Sequence, residues 1–375
     1  MNKKPIRVLV VDDSSVIREL ICDALTLHPD IVVVGTAADG LEALRLLDEL
    51  RPDVVTLDLQ MPRMDGLETL DRLLASRPTP VIVVSALSRR AADVTLQALD
   101  RGAMDYVAKP DGLAEMRRIF GEELPTKIRN MVGADVKRVL QIRKTRQVRD
   151  EARRKPLALP DQADRFVGCI AIGISTGGPP ALARLFRELR PPSPPIAIVQ
   201  HMPAMFTGPF AGRLNSLSKI EVKEAETGDV LRPNLALLAP GGKHLSLQRS
   251  NGRVQAIVYD GDPVSGHKPS VDVMLRSAAQ IYGKHCLGVI MTGMGRDGSD
   301  GCGAVRAAGG YVLGQDENSS DVYGMNKVAF VEGHVDAQVA LTNLSEAIAI
   351  QSRRRCVGAS PRSLVNQSSS LRKGF

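Results

Sequence analysis

One alternation constrains this chain more than any other feature. Through roughly the first 120 residues, short β-branched runs give way repeatedly to segments whose apolar residues recur at helical spacing. Residues 6–11 (IRVLVV) read as a buried strand. After Asp12-Asp13-Ser14-Ser15, a helix capped by Ser14 turns Val16/Ile17, Leu20/Ile21 and Ala24/Leu25 inward. Strands at 31–36, 54–59, 81–87 and 106–110 follow, with helical patterns between them, including one over 91–99. Continuous apolar runs mean that both sheet faces are covered. Five β/α units of this kind predict a doubly wound, flavodoxin-like parallel sheet.

A second alternation begins at residues 166–174 (FVGCIAIGI) and continues with strands expected at 196–201, 236–240, 254–260, 287–293 and 310–315. It predicts another doubly wound, mostly parallel α/β domain. Between the two lies a stretch rich in Lys, Arg and Gln with few large apolar residues, which reads as a linker, helical in its first half. The expected division is 1–123, a linker at 124–165, a second domain at 166–352, and a basic, Ser-rich, disordered tail at 353–375.

Charge follows the same division. Of a net +7, residues 127–155 carry +8 and residues 353–375 carry +6, so the two folded bodies are together net acidic. Solvated segments account for this more simply than an anionic partner does. Aromatic residues make up 3% and Trp is absent, which argues against base-stacking nucleic-acid platforms. The five cysteines form no CxxC pair and read as reduced thiols of a cytoplasmic protein. The N-terminus meets acids after a short apolar run, unlike a signal peptide, and no apolar run is long enough to span a bilayer.

In a parallel sheet, ligands sit beyond the carboxyl ends of the strands. In the first domain those ends carry Asp12 and Asp13, Asp58, Ser85 and Lys109. Clustered carboxylates repel one another unless a hard cation such as Mg²⁺ shares them. Asp58 is then a nucleophile able to form an acyl phosphate, with Lys109 and Ser85 meeting the phosphoryl oxygens. A cis bond before Pro110 would aim Lys109 inward. The motifs VVDDS, DLQMPRMDG, VSA and YVAKP resemble those of two-component receiver domains over the whole of this region. That resemblance implies Asp58 as phosphoacceptor, Asp13 and Asp58 as Mg²⁺ ligands with Asp12 acting through water, and the Gln60 carbonyl as a further ligand. It also implies Ser85 and Tyr106 as the pair that senses phosphorylation, and a histidine kinase as phosphodonor.

In the second domain, AIGISTGGPPAL contains G-x-S-x-G, in which a glycine turn exposes Ser175 between a strand and a helix N-terminus. A dinucleotide fingerprint needs glycine where Ser175 stands, and a P-loop needs a Gly-Lys-Ser/Thr that is missing. A serine nucleophile needs a base. Of six histidines, His201 terminates a strong strand, whereas His244 and His267 lie in loop-like sequence. Asp297, in the glycine-rich loop after residues 287–293, would orient the base, with Asp300 as competitor. The order Ser–His–Asp differs from the usual α/β-hydrolase order.

GISTGG, QHMP, APGGKH, HKPSVD and MTGMGRDG, over residues 166–350, closely resemble the catalytic domain of the CheB family of chemotaxis methylesterases, in which a receiver precedes that domain. The resemblance implies a Ser175–His201–Asp297 triad, with backbone groups near Thr176 and Met294 lining the oxyanion hole. The implied substrate is a glutamate γ-methyl ester on the cytoplasmic helices of a chemoreceptor, cleaved without a cofactor. Some members also deamidate receptor glutamines. The receiver is implied to restrain the site until Asp58 is phosphorylated. A monomer is expected. A non-enzymatic signalling module and a DNA-binding output are the rivals; the intact triad residues oppose the first, and the lack of a helix-turn-helix opposes the second.

Overall fold

The computed structural model describes residues 4–132, 136, 140 and 166–357; most of the expected linker and tail lies outside them. The first alternation forms β1 (Ile6–Val11), α1 (Ser15–Thr26), β2 (Ile31–Ala37), α2 (Gly40–Leu50), β3 (Val54–Asp58), α3 (Gly66–Ser76), β4 (Val81–Ala86), α4 (Arg89–Arg101), β5 (Asp105–Lys109) and α5 (Leu113–Met131). The strands pair in parallel in the order β2-β1-β3-β4-β5. The sheet is doubly wound, and its switch point lies between β1 and β3, where Asp12 and Asp58 end their strands.

Local chemistry sets the helix starts. Ser14, Asp39, Asp65 and Ser88 each accept a backbone N–H of the first turn that follows. Val16 is exposed, against expectation, while Leu20, Ile21, Ala24 and Leu25 are buried. The expected domain boundary at 123 falls inside α5. That helix continues because Leu124, Ile128 and Met131 extend the buried stripe begun by Phe120, packed with Leu20, Ile21 and Leu25 of α1.

The second alternation comprises β6 (Cys169–Ile174), α6 (Gly178–Glu188), β7 (Ile196–Gln200), α7 (Ala204–Leu217), β8 (Glu221–Glu224), β9 (Leu235–Leu238), β10 (His244–Ser250), β11 (Arg253–Tyr259), α8 (Val271–Tyr282), β12 (Cys286–Ile290), α9 (Ser299–Ala307), β13 (Tyr311–Gln315), α10 (Met325–Val331), β14 (Ala337–Val339) and α11 (Leu341–Arg355). Seven strands pair in parallel in the order β14-β13-β12-β6-β7-β9-β8. The run at 254–260 leaves this sheet and forms an antiparallel hairpin, β10–β11, because Asn251-Gly252 takes positive φ at both turn positions.

The two halves share apolar packing. Helix α4 lies against α6 and α7, and one buried cluster contains Leu96 and Leu99 together with Phe186 and Phe210. Asp100 pairs with Arg213 across this contact.

Candidate functional site

At the end of the first sheet, Lys109 Nζ lies 2.5 Å from Asp12 Oδ2 and 2.9 Å from Asp58 Oδ2. The lysine turns inward without a cis bond: the cis peptides among the described residues are Pro191–Pro192 and Lys268–Pro269. Asp12 and Asp58 are buried and Asp13 is exposed. Burial pushes the Asp12 carboxyl above its usual range and Asp58 adds to that, while Lys109 opposes both. Carboxylate oxygens of Asp12, Asp13 and Asp58 lie within 4.8 Å of one another. Such an all-oxygen, multiply acidic donor set fits a hard divalent cation. The Gln60 N–H donates to Asp58 Oδ1 at 3.3 Å.

Ser85 and Tyr106 stand on neighbouring strands. The Ser85 hydroxyl shares a 2.7 Å hydrogen bond with Thr95 on α4. Tyr106 is buried at the junction of the two halves, its ring centroid 4.9 Å from that of Phe206 on α7. Beside it, Asp105 accepts from Lys127 Nζ at 3.0 Å and, across the junction, from the Thr176 hydroxyl at 2.8 Å.

In the second half, β12, β6 and β7 are adjacent, and the three hydrolytic candidates follow them. Ile174 pairs with Gln200, so Ser175 and His201 emerge side by side. Gln200 ties them: its Nε2 donates to the carbonyls of Ser175 (3.0 Å) and His201 (3.1 Å). Gly178 makes room for this side chain, since a Cβ there would sit 1.9 Å from Gln200 Oε1. The Ser175 N–H is held by the Thr292 carbonyl at 3.0 Å.

His201 Nε2 lies 2.8 Å from Asp297 Oδ2. A carboxylate accepts only, so Nε2 donates, and Nδ1 on the opposite edge is buried and makes no hydrogen bond. Asp297 is fully buried. Burial alone would raise its carboxyl, but His201 and the N–H groups of Val271 (2.7 Å) and Asp272 (3.1 Å) outweigh that and hold it below its ordinary value. The Ser270 hydroxyl donates to its other oxygen at 2.8 Å. Asp300 is instead paired with Arg276 and Arg296 at the surface.

Thr176 follows Ser175 in the chain, and Met294 follows Gly293, whose backbone lies against the serine. The Thr176 carbonyl accepts from the Thr292 hydroxyl at 2.9 Å. Gly293 lets the chain leading to Met294 pass over the serine; a Cβ there would lie 2.8 Å from Ser175 Cβ and 2.5 Å from Met325 Sδ.

Sequence reasoning missed Gln200, Ser270, Thr292 and Asp105, and it left His244 and His267 in loops. His244 lies on β10, buried, where Nδ1 accepts the Ser270 N–H at 3.3 Å and Nε2 donates to the Asp262 carbonyl at 2.9 Å. The polar end of QHMP could have flagged Gln200, because a buried strand seldom ends on an amide without a task.

Comparison with known proteins agrees over both halves. Residues 8–120 match the response regulator receiver domain model, and residues 170–348 match the CheB methylesterase model. A protein-glutamate methylesterase/protein-glutamine glutaminase 2 of Koribacter versatilis (strain Ellin345) is 46% identical over 96% of this chain and 99% of its own length. The corresponding protein of Pectobacterium atrosepticum is 43% identical over 92% of this chain and 97% of its own. The crystal structure of the Thermotoga maritima CheB methylesterase catalytic domain is 39% identical and covers 48% of this chain and 96% of that one, with a TM-score of 0.47.

Proposed function

This chain belongs to the CheB methylesterase family, as a receiver-regulated hydrolase that removes methyl esters from glutamates and amides from glutamines in chemotaxis, and we propose that Ser175, His201 and Asp297 perform the hydrolysis while Asp58 receives the controlling phosphoryl group. The observation that carries the catalytic assignment is the His201–Asp297 bond beside Ser175, at the ends of three adjacent strands. Ser175 Oγ attacks the γ-carbonyl of the substrate, and its proton passes to His201 Nδ1. Asp297 holds the opposite edge of the ring and stabilises the imidazolium. Backbone N–H groups near Thr176 and Met294 meet the tetrahedral oxyanion.

Collapse breaks the carbon–oxygen bond to methoxide, which takes the proton from His201 and leaves as methanol; with glutamine the leaving group is ammonia. Water then attacks the acyl-serine, giving its proton to His201, and glutamate departs as Ser175 is reprotonated. These steps use side chains, backbone and water alone. The substrate is a chemoreceptor, on its cytoplasmic helices, and the protein acts as a monomer in the cytoplasm. No helix among the described residues is long and apolar enough to cross a membrane.

For the receiver, Asp13 and Asp58 with the Gln60 carbonyl would hold Mg²⁺, Asp12 acting through water; bound there, the ion neutralises charge on the phosphoryl oxygens. The phosphodonor is a histidine kinase. Lys109, now paired with Asp12 and Asp58, turns to the phosphoryl group, and Ser85 leaves Thr95 for it. Tyr106 and Asp105 carry the change outward, since one packs on Phe206 and the other holds Thr176, next to the nucleophile. Phosphorylation thus shifts the population away from this docked arrangement.

Methanol release from methylated receptor membranes tests the triad: Ser175→Ala should lose on the order of 10⁴–10⁶-fold, and a variant keeping more than a tenth of the rate ends the nucleophile assignment. Persistent labelling of Asp58→Asn by acetyl phosphate would refute the phosphoacceptor.

A further inference from the structure

The loop between β11 and α8 reaches both partners of Ser175. Its tip is a tight turn: Val264 and His267 exchange two backbone hydrogen bonds (3.1 and 3.0 Å), and Ser265 and Gly266 take positive φ. The Ser265 hydroxyl donates to Asp272 Oδ2 at 2.9 Å, and Asp272 Oδ1 accepts the N–H groups of Gly298 and Gly301. The loop is therefore locked to the segment that carries Asp297. Beyond the turn, Ser270, Val271 and Asp272 supply three further donors that hold Asp297.

The remaining residue of the turn, His267, lies flat on the His201 ring. The centroids are 3.8 Å apart and the planes differ by 9°. His201 is gripped by Asp297 at one edge only, so its plane and tilt are left to whatever covers its face.

We infer that His267 is a positioning residue for the hydrolysis, bracing the His201 ring by face stacking so that Nδ1 can be presented to Ser175. This rests on His201 being the base. Apart from hydrogen-bonded geometry, the same loop sets the orienter and the base together, so their relation does not depend on two independent segments. Charge is consistent with the role. Burial first, and the neighbouring His201 second, lower the His267 pKa to about 4, and of the other charged groups facing it Asp297 raises it and Lys127 lowers it. His267 is thus a neutral ring at working pH, and a neutral π face tolerates an imidazolium forming against it, as a second cation would not.

The test uses the full-length protein, activated by a phosphodonor, and follows methanol release from methylated receptor membranes. His267→Ala should lower kcat about 10–100-fold with KM changed less than about threefold. His267→Phe, which restores a planar face with no ring nitrogen, should recover kcat to within about threefold of the starting protein. Acetyl-phosphate labelling of Asp58 and the thermal midpoint check that each variant folds. An alanine variant within twofold of the starting kcat overturns the proposal. So does a loss confined to KM, which would make His267 a substrate contact. A phenylalanine variant as impaired as alanine, both folded, overturns it too, because a ring nitrogen would then be required. Ser175→Ala and His201→Gln run alongside: if they stay active the triad itself fails, whereas if they are dead and His267→Ala is normal, only the positioning role fails.

Discussion

Asp105→Ala should release the hydrolase from its receiver. Asp105 reaches across the junction to the Thr176 hydroxyl at 2.8 Å, and both groups are buried. A hydrogen bond to a charged acceptor contributes about 1.5–3 kcal/mol. Losing it from the docked state alone shifts the docked–undocked equilibrium by roughly 10–150-fold. A second effect has the same sign. Lys127 is half-buried against Asp105 and Glu123; loss of water around it depresses its pKa, but the two acids more than reverse that, so it stays charged. Without Asp105 the docked state holds a half-buried ammonium with one partner fewer, which disfavours docking further. Methanol release without phosphodonor should therefore rise at least tenfold, up to the ceiling set by the phosphorylated protein. With phosphodonor the rate should match that of the starting protein, because Asp105 touches none of Ser175, His201 and Asp297. Asp58 labelling and the thermal midpoint report whether the receiver is intact. An unchanged basal rate in a variant that still labels would refute the reasoning that this contact restrains the enzyme.

Arg213→Ala removes a second tie between the halves, to Asp100, but that pair is partly solvated and contributes at most about 1 kcal/mol; its basal rate should rise less than about fivefold in the same assay. Gly293→Ala drives a methyl group toward Ser175 and Met325, and displacing the serine by under 1 Å should cost on the order of 10²-fold in kcat with a lower thermal midpoint. His267 links stability to pH. Its folded pKa of about 4 lies below the ordinary 6.5, so the unfolded chain binds more protons between these values, and stability is complete above about pH 6.5 and lost as pH falls toward 4. Urea unfolding at pH 5 should give up to about 2 kcal/mol less stability than at pH 8, and His267→Phe should remove that part of the difference.

Much of the fold was legible because its signals are local. Strand runs, helix periods and the cap at Ser14 act within a few residues. The errors were also local in origin. Apolar alternation at 254–260 does not reveal whether a strand joins a parallel sheet or pairs with its neighbour in a hairpin, and short β8 and β14 carry too few residues to stand out. His267 looked like loop sequence and is loop; what matters is the ring it covers, which no spacing announces.

The sequence by itself determined the two doubly wound bodies and the residues at their strand ends, Asp58 and Lys109 in one and Ser175 and His201 in the other. Strand polarity and glycine turns suffice for that, because parallel sheets bring all carboxyl ends to one edge. Only the tertiary structure set Asp297, and not Asp300, against the Nε2 edge of His201, and brought Asp105 to Thr176. Those contacts join residues 96 and 71 positions apart. Their partners are chosen by how sheets and helices pack against one another, and that choice has no local trace in the chain.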